Sequence, residues 1–154
     1  MSFPPSLANL VGQWSGTNHL WLSPTEPASE SATVMIVAMT AQDQFFTLHY
    51  SWSYEGTPQD GLLLLGYEEQ LNITKAVWVD SFHMQDKFMV CEGFVEDDGK
   101  IVIKGSYAAP PGPDWGWQIS LAMKSSDQFE FVMHNITPEG DVHLAVKATY
   151  LRKP

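Results

Sequence analysis

The stretch AVWVDSFHM, residues 76–84, holds the carboxylate best placed for chemistry. If the stretch is extended, Asp80 shares a face with Trp78 and Phe82, while Ser81 and His83 take the other. A carboxylate in such company has two readings. Either Trp78 faces solvent or a second copy and Asp80 is simply hydrated, or both stand at a pocket wall, where Asp80 must be hydrogen-bonded or meet a polar ligand. In the second reading burial raises its proton affinity and makes it a candidate acid or base. A Ser/His/Asp catalytic set is not expected, because alternation separates Asp80 from His83 and no nucleophile elbow precedes Ser81. The five histidines, His19, His49, His83, His134 and His143, form no H-x-H or H-x-x-x-H pair. Sequence-local metal binding therefore has little support, and no metal or cofactor is expected. Cys91, the single cysteine, has no internal disulfide partner and reads as a small core residue rather than a nucleophile.

The elements that would position these residues are marked by turns. Breaks recur at Pro24–Pro27, Gln42–Gln44, Gly56–Pro58, Glu68–Gln70, Gln85–Asp86, Asp97–Gly99, Pro110–Pro113, Ser125–Asp127 and Pro138–Gly140. They leave ten strand-length segments rich in β-branched and aromatic residues, with almost no helix expected. In FFTLHYSWSYEG, alternation puts Phe46, Leu48, Tyr50, Trp52 and Tyr54 inward, and Thr47, His49, Ser51 and Ser53 outward. In DWGWQISLAMKSS the inward set is Trp115, Trp117, Ile119, Leu121 and Met123, and the following segment adds Phe129, Phe131 and Met133. The last segment places Val142, Leu144, Val146, Ala148, Tyr150 and Arg152 on one face, with His143, Lys147 and Thr149 on the other. The proline-rich connection Ala108–Pro113 is either a linker or a rim over one end.

Ten antiparallel segments in a flat sheet would leave two long edges, and closure removes them. The expected fold is all-β, a single antiparallel up-and-down β-barrel of about ten strands occupying residues 1–154 as one domain. Its first strand, VGQWSGTNHLW, puts Gly12, Trp14, Gly16, Asn18 and Leu20 on one face. Trp14 then plugs one barrel end with glycines beside it to make room, and Arg152, ending the last strand, lies over the indole. Alternation offers no role for Trp21.

The Gly-x-Trp of the first strand, the meander and the arginine ending the last strand resemble the lipocalins and their calycin relatives. In architecture the chain is also similar to fatty-acid-binding proteins and nitrobindin. More narrowly it resembles a bacterial family of lipocalin-like proteins of unknown function, through Val11-Gly12-Gln13-Trp14-Ser15-Gly16, Trp52-Ser53-Tyr54-Glu55-Gly56 and Trp78-Val79-Asp80-Ser81-Phe82-His83. That family brings no activity to carry over. Secreted lipocalins usually carry disulfides, so the resemblance to them implies the fold alone. A nitrobindin-like barrel would bind haem through a late-strand histidine, His134 or His143, both on the polar face by alternation.

Composition narrows the partners. Eighteen acidic residues against 8 basic ones give a net charge of −10, a field that repels phosphate backbones and anionic lipid. No nucleic acid or membrane partner is expected. With no signal-like start and a lone cysteine, a cytoplasmic location is expected. The function expected is binding of a small apolar or amphipathic molecule, with Tyr50, Trp52, Tyr54, Trp78, Asp80, Trp115, Trp117 and Met133 lining the site. Three other readings stand beside it: an enzyme using Asp80 in the same cavity, the haem-binding barrel, and a filled barrel that associates through outward aromatics as a homodimer.

Overall fold

Alternation in the third segment is realised side chain by side chain: Phe46, Leu48, Tyr50 and Trp52 are buried, and His49 and Ser51 between them are exposed. The computed structural model describes residues 3–154. It contains one short helix, α1 (Pro5–Ala8), and ten strands. These are β1 (Gly12–Leu20), β2 (Ser29–Thr40), β3 (Phe45–Tyr54), β4 (Thr57–Glu68) and β5 (Ile73–Asp80), followed by β6 (Met89–Val95), β7 (Ile101–Tyr107), β8 (Trp115–Ser125), β9 (Gln128–Ile136) and β10 (Val142–Arg152). Each strand pairs antiparallel with its sequence neighbours, and β1 pairs with both β2 and β10, which closes the barrel. Closure leaves no unpaired edge for another chain to extend.

Trp14 closes one end as the spacing predicts. It is fully buried, packs edge-on against Phe129 at 4.6 Å, and donates its indole N–H to the Leu10 carbonyl at 2.8 Å. The Arg152 guanidinium lies 4.2 Å from the centre of the Trp14 ring. Arg152 also donates to the carbonyls of Asn9, Val11 and Ser126, so it ties α1 and the chain that follows it to the end of β10. The flanking glycines serve a different purpose from the one expected. A Cβ on Gly16 would overlap the Thr149 carbonyl of β10, and one on Gly12 would sit 2.8 Å from the Arg152 guanidinium. They admit the neighbouring strand and the arginine rather than the indole.

The last strand corrects the expected faces. The β9–β10 register shifts between Leu144 and Val146, a bulge that places Ala145 out of step. Val142 and Leu144 are therefore exposed, whereas His143 falls opposite Asn135, on the inner side of the sheet. Beyond the bulge, Val146, Ala148 and Tyr150 are buried as the alternation requires. Among the described residues no helix is long and apolar enough to cross a membrane.

Candidate functional site

The polar centre of the barrel is made possible by a glycine. Across β3, β4 and β5 the register aligns Tyr50, Gly61 and Asp80. A Cβ on Gly61 would overlap the Tyr50 ring, so its absence lets the phenol cross the middle strand and reach the carboxylate. Tyr50 donates to Asp80 Oδ2 at 2.6 Å and accepts the Trp78 indole N–H at 2.9 Å. Burial, reinforced by the neighbouring Asp80, pushes the Tyr50 phenol well above its ordinary value. Asp80 is 2 % exposed and Trp78 1 %, which removes the reading in which both are hydrated.

Asp80 ends β5, and there alternation stops. Its Oδ1 accepts the backbone N–H groups of Phe82 at 2.9 Å and His83 at 3.0 Å, while its carbonyl accepts from Met84 and Gln85. This Asx-type turn folds residues 81–86 back over the barrel end. His83, expected on the face opposite Asp80, instead lands on the aromatic cluster. Its ring centre is 5.8 Å from those of Trp52 and Trp78 and 5.3 Å from that of Trp117. Burial lowers its proton affinity and Asp80 opposes that only in part, so the imidazole is held below its ordinary value of 6.5. With both Asp80 oxygens engaged, the carboxylate acts as a turn anchor.

Above this cluster the barrel opens into a cup of about 220 Å³. Its walls come from the end of β1 and the following loop (Leu20, Trp21, Leu22), the β5–β6 turn (Phe82, His83, Met84), Trp78, Met89, Tyr107, Trp117, Asn135 and Ala145. Below it, Tyr50, Trp52, Asp80 and Met133 border a void of only about 10 Å³, room for a water at most. The interior is therefore filled, and the open space lies at the mouth.

The expected site residues thus separate. Trp78 and Trp117 line the cup, stacked on each other at 5.5 Å and 12°. Tyr50, Trp52, Asp80 and Met133 form the packed floor beneath it. Tyr54 packs on Phe82 at 5.0 Å, supporting the turn from outside. Trp115 is half-buried and contributes to neither space, because it enters β8 one pair beyond Trp117. The proline-rich connection supplies no cup residue. Trp21 finds its role on the cup wall, its ring 6.1 Å from that of His19. Cys91 is buried, and burial pushes its thiol up to about 11.

Sequence reasoning missed every cup-lining residue except Trp78 and Trp117, including the polar ones, His83, Tyr107 and Asn135. Tyr107 donates to Asn135 Oδ1 at 2.6 Å. The Trp117 indole N–H, on a side chain 6 % exposed, has no hydrogen-bond partner among the described residues. His134, a haem-ligand candidate, faces the barrel exterior beside Gln118 and Leu144. Among the described residues no three His, Cys, Asp or Glu side chains are grouped to hold a metal ion.

Two solved structures share this architecture. The crystal structure of Rv2717c from M. tuberculosis superposes with a TM-score of 0.65 at 15 % identity, covering 99 % of this chain and 100 % of that one. The S-type phycobiliprotein lyase CPES from Guillardia theta gives a TM-score of 0.66 at 15 % identity, covering 96 % and 90 %. At such identity the likeness is one of fold, and it places the chain among lipocalin-like barrels. No curated protein matches the sequence. A family model does match, over residues 5–152, and the chain belongs to the family described as a protein of unknown function, DUF1579.

Proposed function

We propose that this protein binds one small apolar or amphipathic molecule in the cup at the barrel mouth. The observation that carries the reading is the contrast between a filled interior and a space of about 220 Å³ walled by Trp21, Trp78, Phe82, Trp117 and two methionines. Apolar walls without a guest forfeit dispersion contacts that a fitting guest restores. The volume is smaller than most drug-sized pockets. The guest is therefore a compact molecule of one or two rings. Binding is favoured over catalysis because Asp80, the expected acid or base, spends both oxygens on hydrogen bonds beneath the cup.

Titrating the protein with naphthalene while following tryptophan emission tests the reading. Quenching should saturate at about one site per chain, the number of cups. Trp117→Ala should weaken it, whereas Trp115→Ala and Thr47→Ala, outside the cup, should leave it unchanged. Absence of saturable quenching, or equal loss in all three variants, would contradict the proposal.

A further inference from the structure

We infer that the ligand of the cup is an uncharged planar ring system carrying a hydrogen-bond acceptor, a ring nitrogen or carbonyl oxygen, read by the Trp117 indole N–H and the Asn135 amide. The inference rests on the binding reading above and narrows its ligand class. Three features of the wall carry it.

The first is charge. In a chain of net charge −10, not one Asp, Glu, Lys or Arg lines the cup. An ionised ligand there would lose its hydration and meet no counter-charge, a cost that nothing in the wall offsets. His83 does not supply the missing charge, since burial favours its neutral form. The second is hydrogen-bond polarity. Asn135 Oδ1 is taken by the Tyr107 hydroxyl, which leaves the amide NH₂ as the group Asn135 has to offer a guest. Trp117 adds a buried indole N–H with no acceptor among the described residues. An indole nitrogen only donates, so this unmet donor, with the Asn135 amide on the same wall, calls for an acceptor on the guest. A buried donor left unpaired is costly, and pairing it recovers that cost.

The third feature is shape. Trp78 and Trp117 lie nearly parallel, with His83 tilted 37° to one and 49° to the other, so the floor is built of aromatic faces. Flat rings match such a floor by offset stacking or edge-to-face contact. The Trp117 nitrogen is shut off from solvent. An acceptor therefore meets it only if the cup wall adapts, and the unbranched Met84 and Met89 are the side chains of that wall best able to move.

Three probes of one size distinguish this inference from the reading beneath it: naphthalene, isoquinoline and 2-naphthoate, compared by equilibrium dialysis of the full chain at mildly alkaline pH, where isoquinoline is uncharged. Isoquinoline should bind about fivefold more tightly than naphthalene, the advantage of one net hydrogen bond. The carboxylate should bind at least about tenfold more weakly than isoquinoline. Isoquinoline, unlike naphthalene, should also move the Trp117 indole ¹⁵N–H resonance, and Trp117→Phe should erase its advantage while keeping the ring. If naphthalene and isoquinoline bind equally, or 2-naphthoate binds best, the acceptor inference is overturned while the cup remains a binding site. If none of the three binds, the reading itself fails and the inference with it. The resonance shift needs no variant, so the test stands even if Trp117→Phe does not fold.

Discussion

His83 sits where the strand rule ends. Alternation from Trp78 through Asp80 predicts it on the opposite face, and the prediction fails because Asp80 accepts two backbone N–H groups and turns the chain. An aspartate followed directly by a serine at a strand end, Asp80-Ser81, is the signal that could have revealed the turn. Burial gives His83 a measurable consequence. Its native proton affinity lies below that of the unfolded chain, so on acidification the unfolded state takes up its proton first. The contribution is fully present above the ordinary value of 6.5 and is lost as pH falls from there through the native value. Urea midpoints should drop between about pH 7.5 and about pH 5, and His83→Gln should flatten the drop. His134, also lowered by burial and by Lys100, leaves a residual slope in the same direction. An unchanged slope in His83→Gln would contradict the burial of a neutral imidazole. At the other end, Trp14→Ala should cost about 3–5 kcal/mol, as for other large buried aromatics. Arg152→Ala should cost about 1–3 kcal/mol through its lost carbonyl contacts. The double-mutant cycle should be non-additive, since the two side chains touch. Arg152→Lys should not restore the loss, because an ammonium lacks the planar fork that spans three carbonyls.

At the scale of the element, β3 and β9 were legible because each alternates over a half-buried length, and period two assigns its side chains to faces. In β8 the inward Trp117, Ile119 and Leu121 follow the rule, but Ser120 between them is buried as well and the register with β9 shifts between Met123 and Ser125. β10 was legible only beyond Val146. A bulge adds one residue without any mark in the composition, and everything before it changes face. Gly61 of β4 was equally silent, since its role depends on which residues the register brings beside it. Gly61→Ala tests that role. A methyl there would overlap the Tyr50 ring, so the phenol must leave Asp80 and strand a buried carboxylate oxygen. The expected cost is at least about 2 kcal/mol by chemical denaturation, with loss of order in the 81–86 turn seen as faster amide exchange at Phe82 and His83. Tyr50→Phe should reproduce the exchange effect, because it removes the same donor without the overlap. Normal protection in both variants would mean that Asp80 holds its turn without Tyr50.

For the whole molecule, closure followed from turn spacing and the need to remove sheet edges, but the state of the interior did not. Periodicity says which way a side chain points, not how far the opposing wall stands, and the inward set Tyr50, Trp52, Phe131 and Met133 turns out to fill the space between walls. The expected lining residues therefore divide by depth, with Trp78 and Trp117 on the wall of the cup and Tyr50, Trp52, Asp80 and Met133 in the packed floor beneath it. The two ends also differ in kind: Trp14, α1 and Arg152 shut one, while the β5–β6 turn only partly roofs the other. Under the proposed function, guests enter at the mouth and go no deeper. Methionine methyls report it directly, because Met84 and Met89 line the cup while Met133 borders the closed void and Met35 is buried in the core. With ¹³C-methyl-labelled methionine and naphthalene as guest, the Met84 and Met89 resonances should shift in step with occupancy while Met35 and Met133 stay in place. Shifts at Met133, or none at Met84 and Met89, would contradict the account.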